Sequence, residues 1–364
     1  MKSLSPTAAQ ALRERIATRY GLPSAARATF QVVTTSLLLV ALWAAMLWSL
    51  DVSYWITLAL AVPTAGLLIR LFIIQHDCGH GSFVKSTRWN DFIGSCIGVL
   101  TLTPYHYWRR THALHHATSG NLDKRGAGDI DTLTVREYLE LSPAQRLRYR
   151  IYRSPLVLFV FGAVFHFAVR HRWPSDMRRR WDAERFGVLA TNGAIVALVV
   201  AGGLLFGWRE FLLVQAPITI LSCMSGVWLF YVQHQYEGTY WRRDGEWNFD
   251  MAGLEGSSYY RLPRTLQWFT GNIGLHHVHH LSSRIPNYRL ERCLRENPEL
   301  HEVTTLTLAS SLRCAGLKLW DEDRRRLVGF REAERIAADR ASAPAAASAP
   351  ATARAAEPAA HAAG

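Results

Sequence analysis

Three clusters of histidine carry the chemistry of this sequence. His76 and His80 form an HxxxH. His112, His115 and His116 form an HxxHH, and His276, His279 and His280 form a second one with His277 between them. His234 stands alone in Gln233-His234-Gln235-Tyr236-Glu237. With 15 histidines in 364 residues, one HxxHH is expected about 0.03 times by chance and two about 0.001 times, so the spacing is not accidental. On a helix, residues i, i+3 and i+4 share one face. The three clusters therefore project eight imidazoles from three helices, and His234 makes nine. Imidazole nitrogen suits iron, zinc, copper and nickel. Eight or nine nitrogens are too many for one ion of about four to six ligands. They suit two ions, with a position left for a small molecule. Asp77, inside the first cluster, can accept a hydrogen bond from the far ring nitrogen of a ligand, which fixes the ring. Glu237 and Asn272 are weaker candidates for that role, as are Asp129 and Asp131. His277 falls out of the triplet and is expected to face away. His106, His166, His171, His301 and His361 read as ordinary histidines. No catalytic side chain is expected beyond the metal centre.

These clusters must be held by something, and the rest of the chain says what. Half of it is hydrophobic (49%), 19% is charged, and the net charge is +12. Four runs are free of charge: Ala28 to Leu50, Val52 to Ile69, Phe186 to Trp208 and Phe211 to Gln233. A bilayer core needs about 20 apolar residues as helix. Asp51 alone separates the first two runs, and Arg209-Glu210 separates the last two, so the spans are expected as two hairpins. Residues 1–27 carry Lys2, Arg13, Arg15, Arg19 and Arg27 against one acid, Glu14, and basic segments stay in the cytoplasm. Counting crossings, His76, His234 and both HxxHH clusters then fall on the cytoplasmic side. Two shorter apolar stretches, Phe92 to Pro104 and Pro155 to Val169, are expected to be interfacial or re-entrant rather than crossings. The expected fold is an all-α integral membrane protein with four transmembrane helices in two hairpins. A cytosolic helical cap carries the histidine clusters. Residues 28–335 form this membrane domain, and the Ala/Pro-rich segment 336–364 is expected to be a disordered tail. The positive charge is read as membrane orientation, with no nucleic-acid partner. Five scattered cysteines argue against a disulfide framework.

These residues resemble the membrane fatty acid desaturase family. The stretches that carry the likeness are His76-Asp77-Cys78-Gly79-His80-Gly81-Ser82-Phe83, Thr103 to Asn121, Tyr231-Val232-Gln233-His234, and Gly271-Asn272-Ile273-Gly274 running through the third cluster to Ile285-Pro286-Asn287-Tyr288. The likeness runs from about Ala28 to about Arg295 and is most evident with bacterial acyl-lipid desaturases of the omega-6 type. It implies a non-haem di-iron centre held by His76, His80, His112, His115, His116, His234, His276, His279 and His280, with Asn272 a candidate to hold a metal-bound water. It also implies a place in the bacterial inner membrane, with the active site facing the cytoplasm.

Taking two hydrogens from an unactivated alkyl chain needs an oxidant that no side chain supplies. The expectation is therefore two iron ions with O2 as co-substrate, leaving a cis double bond in a fatty acyl chain that is lipid-linked or a thioester. No haem-binding domain is visible, so electrons are expected from a separate donor such as ferredoxin or a b-type cytochrome. The basic residues Arg109, Arg110, Arg148, Arg150, Arg178, Arg179 and Arg180 are candidates to attract an acidic carrier or anionic membrane lipid. The alternative is a related di-iron membrane oxygenase: a carotenoid hydroxylase or ketolase, or an alkane hydroxylase. A metal transporter is disfavoured, because transport sites lie within the spans, and these are nearly free of ionisable groups.

Overall fold

The computed structural model describes residues 4–126, 128–177 and 180–342. Helix α1 (Pro6–Tyr20) and helix α2 (Ala25–Ser49) are each started by a serine, Ser5 and Ser24, whose hydroxyl accepts a backbone N–H of the first turn. They are followed by α3 (Tyr54–Gly79), α4 (Thr87–Leu100), α5 (Tyr105–Thr118), α6 (Val135–Glu140), α7 (Pro143–Tyr152) and α8 (Gly162–Ala168). Next come α9 (Asp182–Phe206), α10 (Trp208–His234), α11 (Phe249–Glu255), α12 (Arg264–Phe269), α13 (His276–Leu281), α14 (Asn287–Glu296), α15 (Leu308–Ser311) and α16 (Phe330–Ser342). Two small ribbons complete the architecture. The parallel pair is β1 (Tyr259–Tyr260) with β2 (Thr305–Leu306), and the antiparallel pair is β3 (Leu319–Asp321) with β4 (Arg326–Val328).

Helices α2, α3, α9 and α10 are long and apolar enough to cross a membrane. They coincide with the four charge-free runs. Helix α3 is the innermost: 56% of its apolar window is buried, against 17% for α2 and 22% for α9 and α10. Ala61 and Ala65 of α3, one turn apart, are buried in one core with Ala28 and Met46 of α2 and Val214 and Ile218 of α10. The outer faces of α2 and α9 expose Phe30, Leu37, Val40, Phe186, Leu189, Leu204 and Leu205. So much contiguous apolar surface belongs against lipid rather than water, and the chain is a membrane protein. Between α9 and α10 lies Gly207, whose φ of 90° suits glycine.

Away from the long helices, Ala9, Leu12, Ile16 and Tyr20 of α1 pack with Val278 and Leu281 of α13 and with Leu290, Cys293 and Leu294 of α14. The N-terminal helix is thus part of the wall behind the third histidine cluster. The stretch Phe92 to Pro104 falls largely in α4, which packs on α3, α5 and α9. The stretch Pro155 to Val169 is a π-helical turn, Val157–Phe161, running into α8. With α7 it makes a pair bent by 58°.

One boundary differs from expectation. The expected tail at 336–364 begins too early, because α16 continues through Ser342. Ala333 (0% exposed) and Ile336 (4%) anchor it in a core with Val135, Tyr138 and Leu319. Residues 343–364 of that segment lie outside the described residues.

Candidate metal centre

Four helices deliver the nine histidines. His76 lies in the last turn of α3, and His80 is the residue that caps it. Helix α5 carries His112, His115 and His116; α13 carries His276, His279 and His280; His234 is the last residue of α10. Two sets of ring nitrogens converge. In one, ligand atoms of His76, His80, His112, His116 and His279 lie within 4.8 Å of one another; in the other, those of His115, His234 and His280 do. His276 joins the second set, its Nε2 standing 3.0 Å from Nε2 of His234. The sets abut where His116 stacks on His280, with ring centroids 4.1 Å apart. All nine expected ligands are therefore brought together. Each HxxHH is split, His115 going to one set while His112 and His116 go to the other.

The rings are oriented from behind. His76 Nδ1 lies 3.2 Å from Asp77 Oδ1, His115 Nδ1 2.5 Å from Asp129 Oδ1, and His234 Nδ1 3.1 Å from the Gly256 carbonyl. Each of these oxygens accepts an N–H, which turns the Nε2 lone pair of its ring into the cluster. Asp77 is itself fixed: its Oδ2 accepts from the Asn287 backbone N–H at 2.6 Å and from Asn287 Nδ2 at 2.8 Å. Asn287 is in turn held by Gln31 through two side-chain hydrogen bonds, of 2.7 and 3.2 Å. Trp108 stacks on His112 at 4.5 Å and 16°. It reaches there over Gly79, where a Cβ would meet its ring at 2.9 Å.

The nitrogens have no protein partner to explain their burial. Nε2 of His76, His80, His115 and His280 are buried without a hydrogen bond, and an orphaned buried polar atom is costly. Nitrogens also crowd each other, at 3.2 Å between His112 and His116 and 3.0 Å between His116 and His279. Burial, with the neighbouring imidazoles adding to it, holds His80, His112, His116, His276, His279 and His280 well below the ordinary imidazole pKa. Burial thus favours the neutral form of these rings, whose lone pairs can serve a cation. This donor set fits metal ions.

Other expected residues sit differently. Glu237 does not orient a ligand. It is exposed and ion-paired to Arg326 at 2.8 Å, because the chain leaves α10 immediately after His234 and carries it outward. Among the described residues Asn272 makes no hydrogen bond to a histidine. It occupies a left-handed turn (φ 62°), accepts from Gln267 at 2.9 Å and donates to the Asn287 carbonyl at 3.1 Å. His277 faces away, its Nε2 3.0 Å from the Leu300 carbonyl. Burial lowers it to about 4. Of the arginines expected to attract a carrier, Arg109, Arg110 and Arg150 are paired with Asp91, Glu184 and Glu334. Arg178 and Arg179 lie outside the described residues. Asp131 turns to the Arg153 neighbourhood through its carbonyl, so Asp129 is the aspartate of that pair at the site. Asn287 and Trp108 were not recognised from sequence. The pattern around Asn287 held no metal-ligand signal, and a lone Trp beside a histidine cluster reads as bulk.

The fold and the site define a class: a membrane protein whose long apolar helices end in a buried, all-imidazole cluster able to hold metal. A family model described as fatty acid desaturase matches residues 52–306, a span that includes all nine histidines. The chain is 48% identical over 317 residues to a fatty acid desaturase of Bacillus subtilis, covering 87% of this chain and 90% of that one. It is 32% identical over 238 residues to an sn-1 acyl-lipid omega-3 desaturase (ferredoxin) of Synechocystis, covering 62% and 63% of the two chains. To an sn-1 oleoyl-lipid 12-desaturase of the same organism it is 30% identical over 253 residues, covering 66% and 69%. The chain belongs to the fatty acid desaturase family, and it is an enzyme that desaturates fatty acyl groups.

Proposed function

We propose that the nine histidines would hold two iron ions, and that the enzyme uses O2 to introduce a cis double bond into a lipid-linked acyl chain. The observation that carries the reading is the convergence of buried, partnerless ring nitrogens into two adjoining sets. In the balance, –CH2–CH2– with O2, two electrons and two protons becomes –CH=CH– and two waters. The iron pair, when bound, supplies the activation of O2 that this oxidation requires. One ion is assigned to His76, His80, His112, His116 and His279, and the other to His115, His234, His276 and His280. Asp77, Asp129 and the Gly256 carbonyl keep the protons of His76, His115 and His234 on Nδ1, so that Nε2 faces inward. The nine rings and Trp108 exclude water from the cluster, which protects a strongly oxidising site from side reactions.

The short links 50–53 and Gly207 support an arrangement of the four spans as two hairpins. The basic residues before α2 support a cytoplasmic position for the site in a bacterial inner membrane, with the remaining helices as a cytosolic cap. The likeness to the two acyl-lipid desaturases of Synechocystis, one of them a ferredoxin enzyme by name, supports an acyl-lipid substrate and a ferredoxin donor. A b-type cytochrome would serve the same electron-donating role.

Total fatty acids of a host expressing the protein beside His115→Ala, with a competent donor present, test the reading by gas chromatography and mass spectrometry. A new unsaturated species with the wild type alone is expected. A new oxygenated lipid in its place, or equal profiles with both proteins in the membrane, would overturn it. Iron quantified per purified chain, expected at two, tests the metal assignment separately.

A further inference from the structure

We propose that a groove on the lipid-facing side of α2 and α3 seats the phosphate of a membrane phosphoglyceride between Arg27 and Arg70. The groove has a volume of about 320 Å3 and is lined by Ala26, Arg27, Phe30, Gln31, Arg70 and Tyr288. That is within the range of roughly 300–1,000 Å3 for small-ligand sites.

Arg70 is the anomaly that points to an anion. It lies within an apolar span and is 9% exposed. Its Nε donates to Thr35 Oγ1 at 3.2 Å, its Nη1 donates to the Trp268 carbonyl, and its guanidinium stacks 4.2 Å from the Trp268 ring. None of those partners is charged. Arg27, at the foot of α2, is exposed and donates from Nη1 to the Tyr288 carbonyl at 3.4 Å. Among the described residues neither guanidinium has a carboxylate within 4.0 Å. An ionised group inside a span without a counter-charge marks a functional site. Arg153 and Arg172 also lack carboxylates, but each is bonded to at least three oxygens and neither opens on the groove.

The surroundings select the kind of anion. The groove lies where the charge-free run of α2 begins, at the level of a headgroup. Phe30 (71% exposed), Val33 (46%) and Leu37 (65%) continue down the outer face of α2, a track for acyl chains below a headgroup. A free inorganic anion has no use for that track. A neutral lipid has none for two unpaired guanidinium groups, whose planar forks suit phosphate oxygens. The floor, Gln31, is bonded to Asn287, the same residue that holds Asp77 behind His76. The seat therefore adjoins the metal centre, but it does not depend on which lipid is desaturated.

Lipid retention by the purified full-length protein, read by native mass spectrometry, tests the seat. The probes are dioleoyl phosphatidylglycerol, dioleoyl phosphatidylcholine and dioleoyl monogalactosylglycerol. The wild type is expected to retain both phosphoglycerides about tenfold over the galactolipid. Arg27→Gln is expected to lose that preference, and Arg27→Lys to keep most of it. Arg70→Gln should do the same as Arg27→Gln. If that variant does not fold, Arg27→Gln decides alone, since Arg27 is exposed and outside the core. Equal retention of the galactolipid, retention of phosphatidylglycerol without phosphatidylcholine, or no effect of Arg27→Gln would each overturn the proposal. Displacement of the lipid by millimolar inorganic phosphate would do so too, in favour of a free-anion site.

Discussion

His76 and His115 are each backed by an aspartate, and the two aspartates are held in different ways. Asp77 directly follows its histidine in α3, is 1% exposed, and has its second oxygen taken by two N–H groups of Asn287. Asp129 lies 14 residues after its histidine in the connection following α5, and its second oxygen has no hydrogen-bond partner among the described residues. One half of the centre is thus braced by a span, an asparagine 210 residues away and, behind it, α2. In the other half, His115 leans on a single loop carboxylate and His234 on the Gly256 carbonyl. Ring orientation in a metal site is only as firm as the group behind the ring, so the two halves should tolerate damage differently.

The largest effect is expected where the halves meet. His116→Ala removes the ring that stacks on His280 and crowds His279, and should abolish the desaturated product and bring iron below one ion per chain. His80→Ala, which touches only the five-histidine set, should leave about one ion. Equal iron in the two variants would erase the distinction between sets. Next come the aspartates. Asp77→Asn should lower product formation about 100-fold and Asp129→Asn about 10-fold, the ends of the range for groups that orient ligands. The reverse order would show that the loop, not the span, sets the geometry.

Acid separates folded and unfolded chains through the depressed imidazoles. An unfolded histidine binds its proton near pH 6.5, whereas burial keeps His80, His112, His116, His276, His279 and His280 neutral to well below that. Between those values only the unfolded chain gains protons, so stability is full above about pH 6.5 and falls as pH drops further. Melting of the chelator-treated protein from pH 8 to 5, flat at first and then declining below about 6.5, is the expected curve. The smallest effect is expected from Gln31→Ala, which leaves Asn287 its bonds to Asp77. It should cost about 1 kcal/mol, seen as a small drop in melting temperature with iron content kept. Asn287→Ala should cost about 1–3 kcal/mol, because it takes the Nδ2 donor from a buried carboxylate and leaves only the backbone N–H.

Much of this was legible in the chain itself. The 3.6-residue period put each histidine triplet on one face, and the length of the charge-free runs set the four spans. What escaped was contact between distant parts of the chain. Asn287 reaches Asp77 only because α14 packs beside α3, and no local pattern encodes that. Glu237 was close to His234 in sequence, but the end of α10 turned it outward. Asn272 was close to His276, but a left-handed turn committed its amide to Gln267 and Asn287. Asp129 was a weak candidate among several acids until the connection after α5 folded back on His115. Proximity along the chain predicts a shared face within a helix and little beyond its ends.

The centre draws on residues from His76 to His280, and the wall behind α13 is built partly from α1. Neither half can therefore be completed before α13 has been synthesised. The spans must be inserted, α13 synthesised, and the N-terminal helix brought back against α14 before the last ligands meet. On the proposed assignment metal capture would follow the synthesis of α13, and a chain stalled before it would present five or six unfilled imidazoles to whichever cation is most abundant.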